Sequence, residues 1–159
     1  LAQTIEEGLA AFGDDDVQLV YSAHSLPVKF IDEGDPYLEE MAETIKGIEK
    51  IIGGSGKLCF QSRSGPVEWL SPSTPDMLES LAKKGCKRVL MVPISFVSDH
   101  VETLYEIDIE YGELARGLGV ELKRTESLNI LPQFIVGLKN LVVEACREKG
   151  WLDGAINNY

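Results

Sequence analysis

Acidic side chains concentrate beside a histidine in the segment SFVSDHVETLYEIDIEYGELA. Glu102, Glu106 and Glu110 follow one another at intervals of four, and no lysine or arginine occurs between Asp99 and Arg116. In an α-helix, residues four apart share one side, because each step passes a full turn by only about 40°. Carboxylates in such a row suit divalent cations that are bound weakly and passed along. A solvated acidic face is the alternative interpretation.

Both histidines of the chain, His24 and His100, lie just past the ends of segments that have the composition of strands. A neutral imidazole that faces a carboxylate such as that of Glu102 can bind a divalent metal or accept protons from a substrate. Simpler roles remain open for each residue. His24 is otherwise a loop histidine bonded to backbone, Asp99 is otherwise a helix N-cap, and His100 either orients a carboxylate or begins the helix.

Two aromatic residues, Trp69 and Phe96, also fall near predicted strand ends. They are either core residues or, together, a wall for a flat aromatic ligand. The serines near these ends lack the G-x-S-x-G surroundings of a hydrolase nucleophile, and the GGSG segment lacks the spacing of a phosphate-binding loop. Metal or proton-transfer chemistry is therefore favoured over nucleophilic catalysis.

Composition limits the class of protein. The 159 residues are 44% hydrophobic and 26% charged, which are values of a globular domain. A net charge of −11 argues against nucleic-acid partners and anionic membrane surfaces. Cys59, Cys86 and Cys146 have no CxxC spacing, which predicts reduced thiols in a cytoplasmic protein. No apolar run approaches the roughly 18 residues of a membrane span.

Hydrophobic periodicity and turn residues predict alternating helices and strands. The sequence predicts an α/β fold, a four-stranded parallel sheet with helices on both faces, and ligands bind beyond the carboxyl ends of such strands. The side chains discussed above all follow strand ends, so we expect them at one edge of the sheet. Predicted helices cover residues 1–12, Asp35–Pro36 to about 52, Thr74–Pro75 to Gly85, 101–118 and Pro132 to near Gly150, and predicted strands cover 17–23, 57–62, 87–93 and 120–125.

Four motifs, YSAHSLP, FQSRSGPVEWLSP, VPISFVSDHVETLYEIDIEY and ESLN, closely resemble ferrochelatase in sequence and order. That family inserts ferrous iron into a porphyrin in haem biosynthesis. Its members have two similar Rossmann-like halves that hold the porphyrin between them. Residues 1–159 look like the C-terminal half, and the opening LAQTIEEGLAAFGDDD resembles the interior of a protein, so we expect the N-terminal half of the parent protein to be absent.

The resemblance implies roles for particular residues. The carboxylates, on a helix with π character, would attract Fe²⁺ and partly dehydrate it, and two pyrrole protons would leave to the facing histidine and glutamate. Distortion of the macrocycle would expose the pyrrole nitrogens. The implied metal-binding residues are His24, Glu102, Glu106 and Glu110, the catalytic residues are His24, Glu102, Asp99 and His100, and the porphyrin-lining residues are Trp69 and Phe96.

The resemblance also implies partners. Ferrous iron and protoporphyrin IX or coproporphyrin III would be the substrates of a lyase with no required cofactor. No iron–sulfur cluster is expected, because nothing after Cys146 could form one. The chain would need either the missing half or a second copy of itself, since the absent half supplies much of the porphyrin pocket. Alternatives are a self-sufficient homodimeric chelatase of another tetrapyrrole and a non-catalytic metal-binding or regulatory remnant.

Overall fold

The computed structural model describes residues 1–13 and 16–151, and the chain forms two compact units. Leu1–Ser127 form the first unit and Leu128–Tyr159 the second, which contains helix α6 (Pro132–Glu148). The first unit contains, in chain order, α1 (Ala2–Ala10), β1 (Gln18–His24), α2 (Val28–Asp32), α3 (Tyr37–Ile52), β2 (Gly56–Gln61), α4 (Thr74–Lys83), β3 (Arg88–Pro93), a π-helix (Glu102–Tyr111), α5 (Gly112–Gly117) and β4 (Glu121–Arg124).

The four strands form one parallel sheet in the order β2–β1–β3–β4, which confirms the predicted α/β class. Alternate residues of β1, β2 and β3 enter two separate hydrophobic cores. Leu19 and Tyr21 pack with α1 and α3 on one face, whereas Val20 packs with α4, the π-helix and α5 on the other. Helices therefore cover both faces, as predicted. None of the described helices is long and apolar enough to cross a membrane.

The connections between strands fix where a ligand can enter. From β1 the chain passes through α2 and α3 to β2 on one side, and from β3 it passes through the π-helix and α5 to β4 on the other. The two connections diverge between β1 and β3, and ligands of open parallel sheets bind at such a switch point. This part of the fold brings the end of β1 beside the residues that follow β3.

The predicted α-helix over residues 101–118 is instead a π-helix followed by the short α5. The π character agrees with the resemblance. Thr103, Ile107 and Tyr111 are the buried residues of the π-helix and lie four apart. Residues four apart lie on the same side of a helix, so Ile107 and Tyr111 both reach the second core.

Two local details also differ from the sequence predictions. Helix α2 was not predicted, because five residues between turn residues are too few to show a helical period. Asp35 does not occupy the N-cap of α3; Pro36 does, and the Asp35 carboxylate accepts a hydrogen bond from the Tyr37 N–H at 2.9 Å. Helix α4 begins at Thr74 as predicted, with Ser73 as its N-cap.

Replacing Ser73 by alanine should lower the free energy of unfolding by about 1 kcal/mol, measured by urea denaturation at neutral pH. The Ser73 hydroxyl accepts a hydrogen bond from the Asp76 N–H at 3.2 Å, and the Ser73 N–H donates to the Asp76 carboxylate at 3.3 Å. These bonds cap the first turn of α4. The hydrogen bond from Ser73 also lowers the pKa of Asp76, so this contribution to stability is lost as the pH falls below the ordinary value of 3.8.

Ser80→Ala is the matched control, because it makes the same change inside α4. It should leave the free energy of unfolding unchanged or slightly raise it, since alanine is the better helix former. Equal losses for the two variants would contradict the capping role of Ser73.

Candidate active site

His24 and Glu102 meet at the switch point between β1 and β3. His24 is the last residue of β1 and Glu102 is the first residue of the π-helix. The Nδ1 atom of His24 lies 3.3 Å from Oε2 of Glu102, and the two side chains are 39% and 33% exposed. An imidazole and a carboxylate at this distance can exchange a proton and remain open to a ligand. The structure therefore brings together the two residues that the sequence predicted to face each other.

The backbone of His24 is fixed from both sides. Its N–H donates to the hydroxyl of Ser95 at 2.8 Å, and its carbonyl accepts from the hydroxyl of Tyr37 at 2.9 Å. Burial raises the pKa of Tyr37, which keeps its hydroxyl protonated as a donor. Because these bonds hold the backbone, the imidazole ring remains available to Glu102.

Phe96 lies between the two histidines. Its ring meets the ring of His24 edge-on, with centroids 6.2 Å apart, and stacks on His100 at the same separation with an interplanar angle of 24°. The Nδ1 atom of His100 accepts a hydrogen bond from the N–H of Glu102 at 3.4 Å and lies 4.0 Å from its carboxylate. His100 therefore lies at the start of the helix and contacts both the N–H and the carboxylate of Glu102, and its role in orienting that carboxylate stays a prediction.

Asp99 is not the N-cap of the helix that follows, contrary to one of the two interpretations given for it. Val101 occupies the N-cap, and the hydroxyl of Thr103 bonds both the N–H and the carbonyl of His100 at 3.0 Å. The carboxylate of Asp99 accepts instead from Ser127 at 2.9 Å and from Arg124 at 3.3 Å.

Glu106 is held by three donors that sequence reasoning did not identify. Its Oε2 atom accepts hydrogen bonds from Ser62 at 2.8 Å, from Gln61 at 3.0 Å and from Tyr111 at 3.4 Å. Burial, followed by the charges of Glu106 and Glu110, raises the pKa of Tyr111, so the phenol remains a donor at neutral pH. Glu106 is thereby turned toward the end of β2.

The three glutamates do not converge on one point. Glu102 faces His24, Glu106 faces the end of β2, and Glu110 is exposed. Among residues 1–13 and 16–151, no group of three or more histidine, cysteine, aspartate or glutamate side chains is arranged to hold a metal ion. The spacing of four predicted a continuous stripe on an α-helix; in the π-helix the three glutamates keep that spacing, but their carboxylates have different surroundings along it.

Arg124, which lies outside the acidic segment in the sequence, compensates part of its negative charge. Its guanidinium donates to both carboxylate oxygens of Asp108, at 2.8 and 3.0 Å, and to Asp99 at 3.3 Å. The hydrogen bonds to Asp108 raise the pKa of Arg124 and keep it charged. Arg124 is the last residue of β4, so the rule that placed the other residues at strand ends could have found it.

Trp69 lies in the loop after β2, where its indole N–H donates to the carbonyl of Gly65 at 3.4 Å. The backbone of Trp69 pairs with Pro27, just beyond the end of β1. Phe96 packs between the two histidines, whereas Trp69 lies in the loop beside the end of β1. The wall that the sequence predicted from these two residues stays a prediction.

Cys59, in β2, is a buried free cysteine. Burial raises the pKa of Cys59 to about 11, so its thiol is protonated at neutral pH, and its hydrogen is directed to Tyr21 or Thr74. The chemistry available at this edge is therefore that of imidazole and carboxylates, namely proton transfer and weak binding of hard or borderline cations.

Comparison with known proteins gives one consistent family. The sequence profile of the family described as Ferrochelatase matches residues 1–146. A ferrochelatase of Desulfotalea psychrophila is 59% identical over 145 residues, which are 91% of this chain and 45% of that protein. A ferrochelatase of Gloeobacter violaceus is 41% identical over 149 residues, 91% of this chain and 46% of that protein. The chain thus spans about half the length of the curated relatives it matches.

A solved structure shares the fold. The putative cobalamin biosynthesis CbiX protein of Marinobacter aquaeolei superimposes with a TM-score of 0.61 at 14% sequence identity. The match covers 84% of this chain and 99% of that one. At this identity the likeness supports the four-stranded α/β architecture alone.

Proposed function

The chain belongs to the ferrochelatase family, and we propose that it carries the metal-insertion site of a lyase that places ferrous iron in a porphyrin to form haem. The observation that carries this proposal is the contact of His24 with Glu102 across the switch point, at 3.3 Å. Two proton acceptors at one open edge of the sheet fit a reaction that must remove two protons from one ligand.

The proposed reaction exchanges one metal ion for two protons. A free-base porphyrin carries two pyrrole N–H groups, and Fe²⁺ bonds the four nitrogens as both protons leave, so that the product is neutral. His24 and Glu102 accept these protons and pass them to solvent, with which both are in contact. His24 ends a strand and Glu102 begins a helix, so regular secondary structure positions both acceptors.

The acidic helix is the proposed route for the metal. Glu110 is exposed, Glu106 is half-buried, and Glu102 lies beside His24, so the carboxylates lead from solvent toward the reacting pair. A ligand set that does not converge should bind a hydrated cation weakly and release it readily. Fe²⁺ enters this scheme as a substrate, and the proposal requires no resident cofactor or iron–sulfur cluster.

The porphyrin itself would lie against the aromatic and apolar side chains near this edge. Phe96 packs on both histidines, and Trp69 closes the loop beside β1. Val101, Leu104 and Tyr105 on the adjoining segment are exposed. These apolar groups are available to a macrocycle, whether protoporphyrin IX or coproporphyrin III.

Asp99 and His100 lie beside the proposed site, in the segment that leads into the π-helix. His100 orients the start of the π-helix, and Asp99 joins the loop before it to Arg124 and Ser127. We assign them positioning roles in the reaction, because His100 bonds the N–H of Glu102 and Asp99 shares Arg124 with Asp108 of the same helix.

The proposed enzyme needs a further protein surface. The chain spans about half of its relatives, and we propose that their other half, or a second copy of this chain, completes the porphyrin pocket. Helix α6 has no buried residue and exposes the apolar side chains of Ile135, Leu138, Leu141 and Val142, which another domain could cover.

The test is porphyrin metallation by the 159-residue chain, alone and mixed with the remaining half of a full-length ferrochelatase. Insertion of Fe²⁺ or Zn²⁺ is followed by absorbance, with His24→Ala as the inactivating variant. We expect insertion that falls at least about 100-fold in this variant, because one of the two proton acceptors is removed.

Activity of the chain alone, at twice the mass of 17.5 kDa, would favour the homodimer. Activity that requires the added half would favour a two-half enzyme. Metal binding without metallation under either pairing would contradict the proposed enzyme and leave the non-catalytic alternative.

A further inference from the structure

Gln61 is a buried polar residue at the end of β2, with 1% of its surface exposed. Its Oε1 atom accepts a hydrogen bond from the hydroxyl of Ser22 at 2.7 Å. Its Nε2 atom donates to the carboxylate of Glu106 at 3.0 Å and lies 3.4 Å from the carbonyl oxygen of Glu102. One amide therefore connects the centre of the sheet with the first turn and the middle of the π-helix.

The orientation of this amide is determined by its partners. Because the single hydroxyl proton of Ser22 is directed to Gln61, the hydroxyl of Thr74, 3.1 Å away, must donate to Ser22. The hydrogen bonds consequently run in one direction, from Thr74 through Ser22 and Gln61 to Glu106. The first three of these residues are at most 1% exposed, so water does not compete for the bonds.

We propose that Gln61 is a positioning residue that holds Glu106 and the first turn of the π-helix at the carboxyl edge of the sheet. This inference rests on the proposed function, because the consequence of the positioning is a carboxylate kept beside the route of the metal. His24 and Gln61 are register partners on adjacent strands, so the residue that holds the helix neighbours the residue that Glu102 faces.

The charge of the helix explains why such a donor is needed. Glu102, Glu106 and Glu110 repel one another, and an exposed glutamate would rotate into solvent. Ser62 and Tyr111 also donate to Glu106, but Gln61 alone among the three also reaches the backbone of Glu102. Loss of its NH₂ group should therefore loosen the helix as well as the carboxylate.

The first test is hydrogen–deuterium exchange of the metal-free chain. In Gln61→Met, the amides of residues 102–111 should exchange at least about tenfold faster than in the unaltered chain, whereas Gln18→Met should leave them unchanged. Gln18 is the matched control, since it begins β1 at the opposite edge of the sheet. Ser22→Ala is a second variant, which removes only the hydroxyl that orients Gln61. In this variant the amides of residues 102–111 should also exchange faster than in the unaltered chain, but by a smaller factor than in Gln61→Met. Unchanged exchange in both variants would overturn the proposal.

The second test is a double-mutant cycle on Zn²⁺ affinity, measured by calorimetry with Gln61→Met, Glu106→Gln and their combination. If Gln61 acts through Glu106, Gln61→Met should weaken Zn²⁺ binding about tenfold alone and less than twofold in the Glu106→Gln background. An equal loss in both backgrounds would overturn the proposal, because a merely structural effect does not depend on Glu106. Absence of Zn²⁺ binding by the unaltered chain would count against the proposed function, and the exchange result would then decide the role of Gln61.

Discussion

Replacing Glu102 by glutamine should lower the rate of porphyrin metallation at least about 100-fold without unfolding the protein. General-base groups contribute about 10²- to 10⁴-fold to enzymatic rates, and glutamine cannot accept a proton. Its amide retains the size of the carboxylate and can still bond His24. Since the Glu102 side chain is 33% exposed, the change should leave the free energy of unfolding within about 0.5 kcal/mol.

Neighbouring carboxylates should not replace Glu102 in this role. Glu106 is held by Gln61, Ser62 and Tyr111 at the end of β2, and Glu110 is exposed further along the helix. The nearest other acceptor is His24, which already receives one of the two protons in the proposed reaction.

The measurement is the metallation rate of the chain paired with whichever partner supports activity. Glu43→Gln is the control, because it makes the same change on the exposed surface of α3. The double variant with His24→Ala should be little slower than either single variant, since residues that act as a unit are not additive. A rate for Glu102→Gln within threefold of the unaltered protein would exclude Glu102 as a proton acceptor.

The contact between His24 and Glu102 could be predicted because it follows from topology. Alternating helices and strands imply parallel strands, whose carboxyl ends share one edge, and both residues follow such ends. That reasoning placed both residues at one edge, and their contact also requires β1 and β3 to be neighbours, which the sheet order shows. Because β1 and β3 are adjacent in the four-stranded sheet, the end of β1 lies beside the segment that follows β3 and contains Glu102.

The polar groups that hold the acidic helix could not be predicted, because their partners depend on register and side-chain direction. Gln61 and Glu106 are separated by 45 residues, and Asp99 and Arg124 by 25. No local pattern encodes such pairs. Periodicity also cannot distinguish an α-helix from a π-helix over ten residues, since apolar positions four apart fit both. The sequence nevertheless held one signal, a glutamine at the end of a strand that is otherwise apolar in its second half.

Replacing Arg124 by methionine should lower the free energy of unfolding by about 2 kcal/mol, and the melting temperature by about 4–8 °C. The Arg124 side chain is only 12% exposed and pairs with Asp108 and Asp99. Breaking a fully buried pair costs about 3–5 kcal/mol, but these partners are 39% and 34% exposed, so water offsets part of the loss.

The loss should be constant between about pH 6 and pH 10. The hydrogen bonds to Asp108 raise the pKa of Arg124 above its ordinary value, which already lies far above neutral pH. A group whose pKa is raised in the folded state contributes stability below the unfolded pKa and loses it only as the pH rises through the folded one. Both values lie above the range of the measurement, so the arginine remains charged throughout it.

Thermal and urea denaturation of Arg124→Met should be compared with Arg116→Met, which removes an exposed arginine of α5. The control should change the free energy of unfolding by less than about 0.5 kcal/mol. Equal effects of the two variants would show that Arg124 acts only through the net charge of −11. A larger loss of stability for Arg124→Met would mean that Arg124 of β4 stabilises the acidic helix through its ion pair with Asp108. Such an arrangement compensates Asp108 and Asp99, whereas Glu102, Glu106 and Glu110, which the proposed function assigns to the metal, have no pairing with Arg124.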